Sequence, residues 1–343
     1  MATNFRRRLI AGIAASLAAP RFALAQEVSG QRPKRVVFVP TQGAARMHRK
    51  GDGGARMLRW LSESLAEEGL VAGRDVACEY VDLELADADG AAIERRARAV
   101  VDARPDAILV GEDGIYVFKE VTRTIPLVFY QFFGDPVVFG LVQSYRRPGG
   151  NITGTTLFAP GADDKGWELL RELSPRGKRI GVMWRDDEIP TSEYAIEKAR
   201  LKGSAARLGF EYVDIVFAKS AKFAPLERKL RDARIDVLVI EETDDPWVPE
   251  LMRFVQRARI PALWPHAGRV REGGLCSANP STGQAMTDAI AMVALILRGA
   301  APATMPLRVP TRFVTAINLR TARAMGLEVP PALLVRATVV VDK

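Results

Sequence analysis

The sequence predicts an α/β fold built as two similar lobes, each around a parallel sheet. Short apolar or β-branched runs alternate with longer segments of helical periodicity, which is typical of βαβ units. The landmarks of the first half of the chain also recur, in the same order, in the second half. The 343 residues are enough for two domains of ordinary size, each with its own core.

The repeat is carried by short segments that match closely. Glu79-Tyr80-Val81-Asp82 recurs as Glu211-Tyr212-Val213-Asp214. The apolar run that starts at Lys34 is echoed by the run that starts at Lys178, an offset of 144 residues. Solenoid repeats are only about 20 to 50 residues long, so this period indicates a domain duplication. We therefore expect the functional site to lie between two domains.

Eight short runs are predicted as strands, four in each lobe. Their mainly unbroken apolar character predicts burial on both faces of a parallel sheet. In the first lobe the strands are Val36–Val39, Val76–Val81, Ala107–Val110 and Leu127–Tyr130. In the second lobe they are Ile180–Trp184, Glu211–Val216, Val237–Ile240 and Ala262–Trp264.

The helices follow from apolar positions three or four residues apart. In the first lobe, leucines at positions 58, 61 and 65 predict a helix that stops at Gly69, and a second helix covers about 91–103, before Pro105. In the second lobe the helices are Tyr194–Leu208, Ala224–Asp232 and Trp247–Arg257. A later helix, Thr282–Leu297, is expected to pack back on the first lobe.

Three segments are candidates for crossings between the lobes. Pro148-Gly149-Gly150-Asn151 is a turn signal between the two sets of strands. A second candidate follows Trp264-Pro265-His266, and a third lies near Ala300-Ala301-Pro302. We therefore predict that lobe 1 comprises residues 33–153 and 268–303, and that lobe 2 comprises residues 154–267 and 304–343.

Residues 1–25 have the pattern of an export signal peptide. Three arginines precede an apolar run, and Ala23-Leu24-Ala25 forms a small-x-small cleavage site. The apolar run of 11 residues is shorter than the roughly 20 residues that span a bilayer. We expect a soluble periplasmic protein that begins near Gln26, exported by the general secretory or the twin-arginine route.

Charge and composition argue against several classes of function. Removal of the signal lowers the formal net charge from +8 to +4, which does not favour a nucleic-acid partner. Cys78 and Cys276 are expected to be buried thiols, although an exported protein could oxidise them. With two histidines and no Cys-x-x-Cys, a metal site is not expected. A nucleotide cofactor is not expected either, because Gly51-Asp52-Gly53-Gly54 does not complete a Gly-x-Gly-x-x-Gly motif.

Several segments resemble one known family. Gly134-Asp135-Pro136-Val137, the run from Arg147 to Gly154 and the tail segment Pro310-Thr311-Arg312-Phe313 are similar to ABC-transporter substrate-binding proteins, a family that includes bacterial tryptophan-binding proteins. The resemblance covers about Lys34 to Val341. It implies a type I periplasmic binding fold, with two Rossmann-like lobes, three hinge crossovers and one small solute between them. The expected partners are that solute and an ABC permease in the inner membrane, and the protein is expected to be a monomer and not an enzyme.

Candidate ligand-binding residues follow from the geometry of parallel sheets. Ligands bind beyond the carboxyl ends of the strands, where loops and helix N-termini converge. Two facing lobes would bring both sets of strand ends to one cleft. On lobe 1 the candidates are Gln42, Glu112, Asp113, Tyr130 and Phe132. On lobe 2 they are Trp184, Arg185, Asp186, Glu242, Thr243, Asp244 and His266. The alternative at each position is a solvated loop residue.

Two sets among these residues indicate which chemical groups the bound solute carries. The aromatic residues could stack on a planar or apolar part of a ligand, as could Trp264, which could equally belong to the core. The acids Glu112-Asp113 and Glu241 to Asp245 occupy equivalent places in the two lobes and favour an amino or polyol group on the solute. The alternative is that these acids cap the helices that follow.

The acids also mark a departure from the family. Its members usually offer small hydroxyl residues to a ligand carboxylate after the third strand, whereas this chain has Gly111-Glu112-Asp113-Gly114. An aromatic amino acid is therefore not assumed as the solute. An anionic group could instead bind Arg185 or the amides near Gly53-Gly54. Two other functions stay open: a sensing module that presents its closed form to a signalling receptor, and an exported enzyme that uses the same cleft.

Overall fold

The structure, a computed structural model, describes residues 32–41, 44–45, 52–85, 89–158, 162–185, 191–217, 222–240 and 245–342. The predicted export signal lies outside these ranges. Within them the chain forms two sheets of mostly parallel strands with helices on both faces, so the predicted α/β fold with two Rossmann-like lobes is confirmed.

The first sheet contains five strands. They are β1 (Lys34–Val39), β2 (Val76–Tyr80), β3 (Ala107–Gly111), β4 (Leu127–Phe132) and β5 (Ile152–Thr156). All neighbours are parallel, in the order β2-β1-β3-β4-β5. Every residue of β3 and β5 is buried, as expected for strands that helices cover on both faces.

The second sheet contains seven strands. They are β6 (Arg179–Arg185), β7 (Glu211–Phe217), β8 (Val237–Val239), β9 (Ala262–Leu263), β10 (Cys276–Pro280), β11 (Phe313–Asn318) and β12 (Val339–Val341). Their order is β12-β11-β10-β9-β8-β6-β7. One pair, β10 and β11, is antiparallel, and the others are parallel.

Eleven α-helices of the described residues cover the sheets. The first six are α1 (Gly53–Glu67), α2 (Gly90–Asp102), α3 (Glu112–Val121), α4 (Ala162–Leu173), α5 (Thr191–Arg207) and α6 (Ala224–Ala233). The remaining five are α7 (Val248–Arg257), α8 (Ala267–Arg271), α9 (Thr282–Leu297), α10 (Leu319–Ala324) and α11 (Pro331–Arg336). A short 3-10 helix covers Pro302–Thr304.

Apolar residues fill the space between each sheet and its helices. In the first sheet, one face packs against α1 and α9, and the opposite face packs against α2 and α3. The second sheet also has a separate core cluster on each face. The predicted helix Thr282–Leu297 is α9, and it packs against β3, β4 and β5 as expected.

The internal repeat extends to the hydrogen bonds at the amino ends of the strands. Arg104 and Arg234 occupy equivalent positions and both adopt left-handed backbone angles, with φ of 49° and 48°. Two residues later, Asp106 accepts a hydrogen bond from the Arg35 amide at 2.8 Å, and Asp236 accepts one from the Arg179 amide at 2.9 Å. In both lobes, an aspartate side chain therefore holds the start of the central strand by the equivalent hydrogen bond.

The strand pairing divides the chain at different places from the predicted lobe boundaries. Residues 154–156 belong to β5 in the first sheet, whereas α8 and β10, within the segment 268–303 assigned to lobe 1, lie with the second sheet. Arg308, which the prediction placed in lobe 2, forms main-chain hydrogen bonds with Gly154 and Thr156 of β5 in the first sheet. The chain passes from the first sheet to the second after β5, returns to the first sheet after β10, and enters the second sheet again before β11. The sequence predicts no strand at Cys276–Pro280, and the second crossing is expected directly after His266, whereas the chain first forms β10 in the second sheet.

No described helix combines the length and the apolar character that a membrane span requires.

Candidate functional site

The carboxyl ends of the first sheet carry several polar and aromatic groups. Thr41 follows β1, α3 begins directly after β3, and Phe133 follows β4. Because these three strands are neighbours in a parallel sheet, the groups lie along one edge. Loops and helix N-termini at such an edge form the usual ligand site of open α/β sheets.

Tyr130 belongs to the core but carries its hydroxyl to this edge. Its ring stacks on Phe38, with centroids 5.7 Å apart, and the residue is 2% exposed. The hydroxyl oxygen accepts a hydrogen bond from the Thr41 amide at 3.1 Å. Burial raises the pKa of the Tyr130 hydroxyl, and the nearby charge of Asp113 raises it further. The hydroxyl therefore keeps its proton at neutral pH.

Glu112 and Asp113 form the first turn of α3, because the helix starts immediately after Gly111. Acids are favourable at this position since they face the positive end of the helix dipole. The Glu112 side chain also accepts a hydrogen bond from the Phe133 amide at 3.0 Å. Asp113 is exposed. Of the two acids, Glu112 therefore has a role in holding the end of β4, and Asp113 faces solvent at the sheet edge.

The end of β4 contains a β-bulge. Gln131 has a left-handed φ of 54°, and the pairing register with β5 shifts between Phe129 and Phe132. Regular alternation would place Phe132 on the same face as Tyr130. The extra residue instead turns Phe132 to the face of Phe129, where the two rings lie 5.6 Å apart. Phe133, the next residue, is 45% exposed.

The aromatic residues predicted to stack on a ligand are mostly enclosed. Phe132 is fully buried, Trp264 is 1% exposed and Trp184 is 6% exposed. Little of any of these three rings is therefore accessible to a ligand. The exposed aromatic residue at the strand ends is Phe133, which the sequence analysis did not select. The periodicity of β4 does not indicate the extra residue at Gln131. That residue is the reason why Phe132 is buried and Phe133 is exposed.

Trp184, at the end of β6, takes part in an internal network of lobe 2. Its indole N–H donates to the Tyr212 hydroxyl at 2.8 Å, and that hydroxyl donates to Asp214 at 3.1 Å. Tyr194 of α5 contacts the indole edge-on, with centroids 5.3 Å apart. Lys198 forms an ion pair with Asp214, and burial lowers the pKa of the Lys198 amine. The polar group of Trp184 is thus already satisfied within the lobe.

Arg185 and His266 are the other described candidates of lobe 2. Arg185 ends β6 and is half-buried. His266 precedes α8 and caps it, because its Nδ1 accepts a hydrogen bond from the Arg269 amide at 3.4 Å. His266 therefore has a local structural role at the end of the loop after β9. The candidates Gln42, Asp186, Glu242, Thr243 and Asp244 lie outside the described residues.

The two lobes meet near the first crossing. In lobe 1, the Tyr145 hydroxyl donates to Asp135 at 3.2 Å. In lobe 2, buried Glu197 pairs with Arg200 at 2.7 Å, and the Arg200 guanidinium lies 4.8 Å from the ring centre of Phe158. Burial raises the pKa of the Tyr145 hydroxyl, and the charges of Asp135 and Glu197 raise it further. Tyr145 is thus close enough to α5 to experience charges of the other lobe.

Two observations on the described residues concern metal binding and thiol chemistry. Within the described ranges, no group of three or more His, Cys, Asp or Glu side chains could hold a metal ion. Cys78 and Cys276 are free thiols on β2 of the first sheet and β10 of the second. Burial raises the pKa of both thiols, which disfavours the reactive thiolate.

Comparison with known proteins identifies the family. The model of the family described as ABC transporter substrate binding protein matches residues 50–341, most of the chain. The chain belongs to this family. The resemblance read from the Gly134 to Gly154 region is therefore confirmed.

Individual relatives of this substrate-binding protein agree with the assignment. A tyrosine-binding protein of Clostridioides difficile is 27% identical over 210 residues, which cover 60% of this chain and 59% of that protein. The chain thus matches somewhat more than half the length of this curated relative.

Solved structures share the fold over most of the chain. A conserved domain protein from Vibrio cholerae is 25% identical with a TM-score of 0.72, covering 90% of this chain and 100% of the other. A domain from Streptococcus pneumoniae in complex with L-Trp is 19% identical with a TM-score of 0.73, at the same coverage. The ligand-free, open form of a Clostridium difficile substrate binding protein, 22% identical, gives a TM-score of 0.64 at the same coverage.

Proposed function

We propose that this chain is an extracytoplasmic protein that captures one small solute between its two lobes and delivers it to an ABC permease. The observation that carries the proposal is the set of groups at the carboxyl edge of the first sheet: exposed Asp113, the Tyr130 hydroxyl and exposed Phe133. Family membership supports a solute-binding role. The three crossings between the sheets support a hinge.

The chemistry of this edge favours a solute with an amino group and an acceptor oxygen. The Asp113 carboxylate is exposed at the edge, where it would pair with an ammonium group. The protonated Tyr130 hydroxyl has a hydrogen to donate to a carboxylate or hydroxyl oxygen of the same solute. An amino acid has both groups. The tyrosine-binding relative and the neighbour in complex with L-Trp support the same class of solute.

Closure of the lobes would couple binding to delivery. An open and a closed form exchange by bending at the crossings, and the solute favours closure only if it contacts both lobes better than it contacts either alone. The contact region of Tyr145, Glu197 and Arg200 beside the first crossing would stay together while the strand ends approach. A permease that recognises only the closed form would then receive only loaded protein.

The proposal is tested by a thermal-shift screen of the mature protein against amino acids, amines, sugars and organic acids. A bound solute raises the melting temperature by mass action. The identified solute is then titrated by calorimetry into wild type, Asp113→Asn and the control Glu120→Gln. Glu120 is an exposed acid at the opposite end of α3. Loss of a hydrogen bond to a charged group amounts to about 1.5–3 kcal/mol, so Asp113→Asn should weaken binding at least tenfold.

Three further results bear on the proposal. Absence of any thermal shift across the panel would contradict solute capture. Equal affinities of wild type and Asp113→Asn would remove the amino-group assignment and leave solute capture standing. Chemical conversion of the solute during incubation would replace the binding role by an enzymatic one.

Export is tested separately, by the mass of the protein recovered from the periplasm. Removal of residues 1–25 predicts a mature chain that begins at Gln26. A protein that retains the N-terminal segment, or that stays in the cytoplasm, would contradict the extracytoplasmic assignment.

A further inference from the structure

The end of β4 holds one phenylalanine in the core and exposes the next. Phe132 is fully buried, whereas Phe133 is 45% exposed. This arrangement depends on the left-handed backbone of Gln131, whose φ is 54°. Such angles cost about 1–3 kcal/mol in a residue other than glycine, and they cluster at ligand-binding and active sites. Bulges are likewise over-represented beside functional sites, where they redirect a side chain.

The main chain on both sides of Phe133 is fixed by hydrogen bonds from other elements. The Phe133 amide donates to the Glu112 carboxylate at 3.0 Å. The Phe132 carbonyl accepts from the Leu157 amide at 2.6 Å and from the Thr156 hydroxyl at 2.9 Å. The Thr156 hydroxyl also lies 3.2 Å from the Gly134 carbonyl. The main chain that carries the exposed ring is therefore held in place by these hydrogen bonds. An apolar side chain on a surface loop without such bonds would be held less rigidly.

We infer that Phe133 is a ligand-contacting residue whose ring packs against an aromatic ring of the solute, and that Glu112 is a positioning residue that holds it. The inference rests on the proposed solute-binding function. It assigns different roles to the two neighbouring acids, since Asp113 faces the solute's amino group and Glu112 acts through the Phe133 amide. A ring on a rigid backbone loses little entropy when a solute packs on it.

The first test measures the affinity of ring-bearing and aliphatic probes for wild type and Phe133→Ala. The probes are L-tyrosine, L-tryptophan and L-phenylalanine, with L-leucine and L-alanine for comparison. We expect Phe133→Ala to weaken binding of the ring-bearing probes about tenfold and to leave L-alanine nearly unchanged, because stacking requires a ring on both partners. Leu295→Ala is the matched control, since Leu295 is 39% exposed on α9 and lies outside the strand ends.

The second test separates a positioning role of Glu112 from direct contact with the solute. Glu112→Gln keeps an oxygen that accepts from the Phe133 amide, whereas Glu112→Ala does not. We expect Glu112→Ala to weaken the ring-bearing probes about as much as Phe133→Ala, and Glu112→Gln to restore the affinity. If Glu112 instead paired with the solute's ammonium group, Glu112→Gln and Glu112→Ala would weaken every amino-acid probe alike.

The outcomes distinguish failure of the inference from failure of the proposed function. Equal affinities of wild type and Phe133→Ala for all ring-bearing probes overturn the inference alone. So does a wild type that binds sugars or organic acids and none of the ring-bearing probes. A variant that binds its solute normally but no longer supports uptake would place Phe133 at the permease contact and also overturn it. A wild type that binds nothing overturns both proposals.

Discussion

The two lobes are alike at the amino ends of their strands and differ at the carboxyl ends. At the amino ends, Asp106 accepts from the Arg35 amide and Asp236 from the equivalent Arg179 amide, each aspartate two residues after an arginine with left-handed angles. At the carboxyl ends, the first lobe exposes Phe133, whereas the second encloses Trp184 and satisfies its N–H with Tyr212. The duplicated architecture thus keeps the same geometry at the amino ends of the strands and differs at the carboxyl ends, where we propose that the solute binds.

The tyrosines of the repeated Glu-Tyr-Val-Asp segment also differ in their contacts between the two lobes. Tyr80 packs its ring against the Gly54 position of α1 and lies 6.1 Å from the ring of Phe38. Tyr212 occupies the equivalent place on β7, and its hydroxyl joins Trp184 to Asp214. Helix α5 adds further neighbours at this second site, with Tyr194 against the Trp184 ring and Lys202 over the Tyr212 ring. Identical strand residues therefore acquire different neighbours.

The largest predicted effect contrasts Phe132 with Phe133. Removal of a fully buried phenylalanine leaves a cavity, so Phe132→Ala should lower the free energy of unfolding by about 3–5 kcal/mol. Phe133→Ala should change it by less than about 0.5 kcal/mol, because the ring is largely solvated. Urea denaturation of both variants measures the difference. Similar losses of stability would show that Phe133 is a structural residue like its neighbour.

The second prediction concerns Trp184. Trp184→Ala should cost about 3–5 kcal/mol of stability because a large buried ring is removed. Trp184→Phe retains a ring but loses the hydrogen bond to Tyr212, so it should cost about 1 kcal/mol. Solute affinity, measured on the folded Trp184→Phe variant, should equal that of wild type. A clear loss of affinity would show that Trp184 contacts the solute directly, as the sequence predicts. Both lobes would then contribute an aromatic ring at the carboxyl ends of their strands.

Much of the fold was predictable because buried parallel strands have apolar runs that few other elements share. All eight predicted strands are present, within a few residues of their predicted bounds. Helix α3 was not among the two helices predicted for the first lobe, since its first residues, Glu112-Asp113-Gly114, have the composition of a turn. β10 was not among the predicted strands, and its residues fell within the segment 268–303 expected in lobe 1, because which sheet a segment joins depends on tertiary contacts and not on local periodicity.

The candidate site was less predictable than the fold. The location of the strand ends followed from topology, and it directed attention to Glu112, Asp113 and Tyr130. The exposure of each side chain depends on details that periodicity does not encode. One left-handed residue, Gln131, reverses which phenylalanine is buried, and one acceptor, the Tyr212 hydroxyl, decides that Trp184 is satisfied internally.

The third prediction tests the similarity of the amino ends. Asp106→Ala and Asp236→Ala should each lower the free energy of unfolding by about 1 kcal/mol, because each leaves the amide at the start of the central strand, Arg35 or Arg179, without its acceptor. Asp232→Ala, at an exposed position at the end of α6, should change it by less than about 0.5 kcal/mol. Equal effects of the first two variants would support a common scaffold. Loss confined to one lobe would show that the repeated hydrogen bonds contribute unequally.

The smallest predicted effect concerns a charged contact within lobe 2 and its dependence on pH. Asp164 of α4 accepts hydrogen bonds from Arg207 of α5 at 3.0 and 3.1 Å. Burial alone would raise the pKa of the Asp164 carboxyl, but hydrogen bonds from Ser204 and Arg207 outweigh it and hold the pKa below its ordinary value of 3.8. A carboxyl with a lowered folded-state pKa stabilises the fold above its unfolded-state pKa and loses that contribution as the pH falls.

Asp164→Asn should therefore cost less than about 1 kcal/mol at neutral pH, since Arg207 is largely exposed. The difference from wild type should shrink once the pH falls below about 3.8, when the wild-type carboxyl becomes protonated in the unfolded and then in the folded chain. Urea denaturation at several pH values from 7 to 3 measures this, with Glu120→Gln as a control for loss of an exposed charge. A difference that stays constant with pH would mean that the ionised carboxylate does not stabilise the contact between α4 and α5.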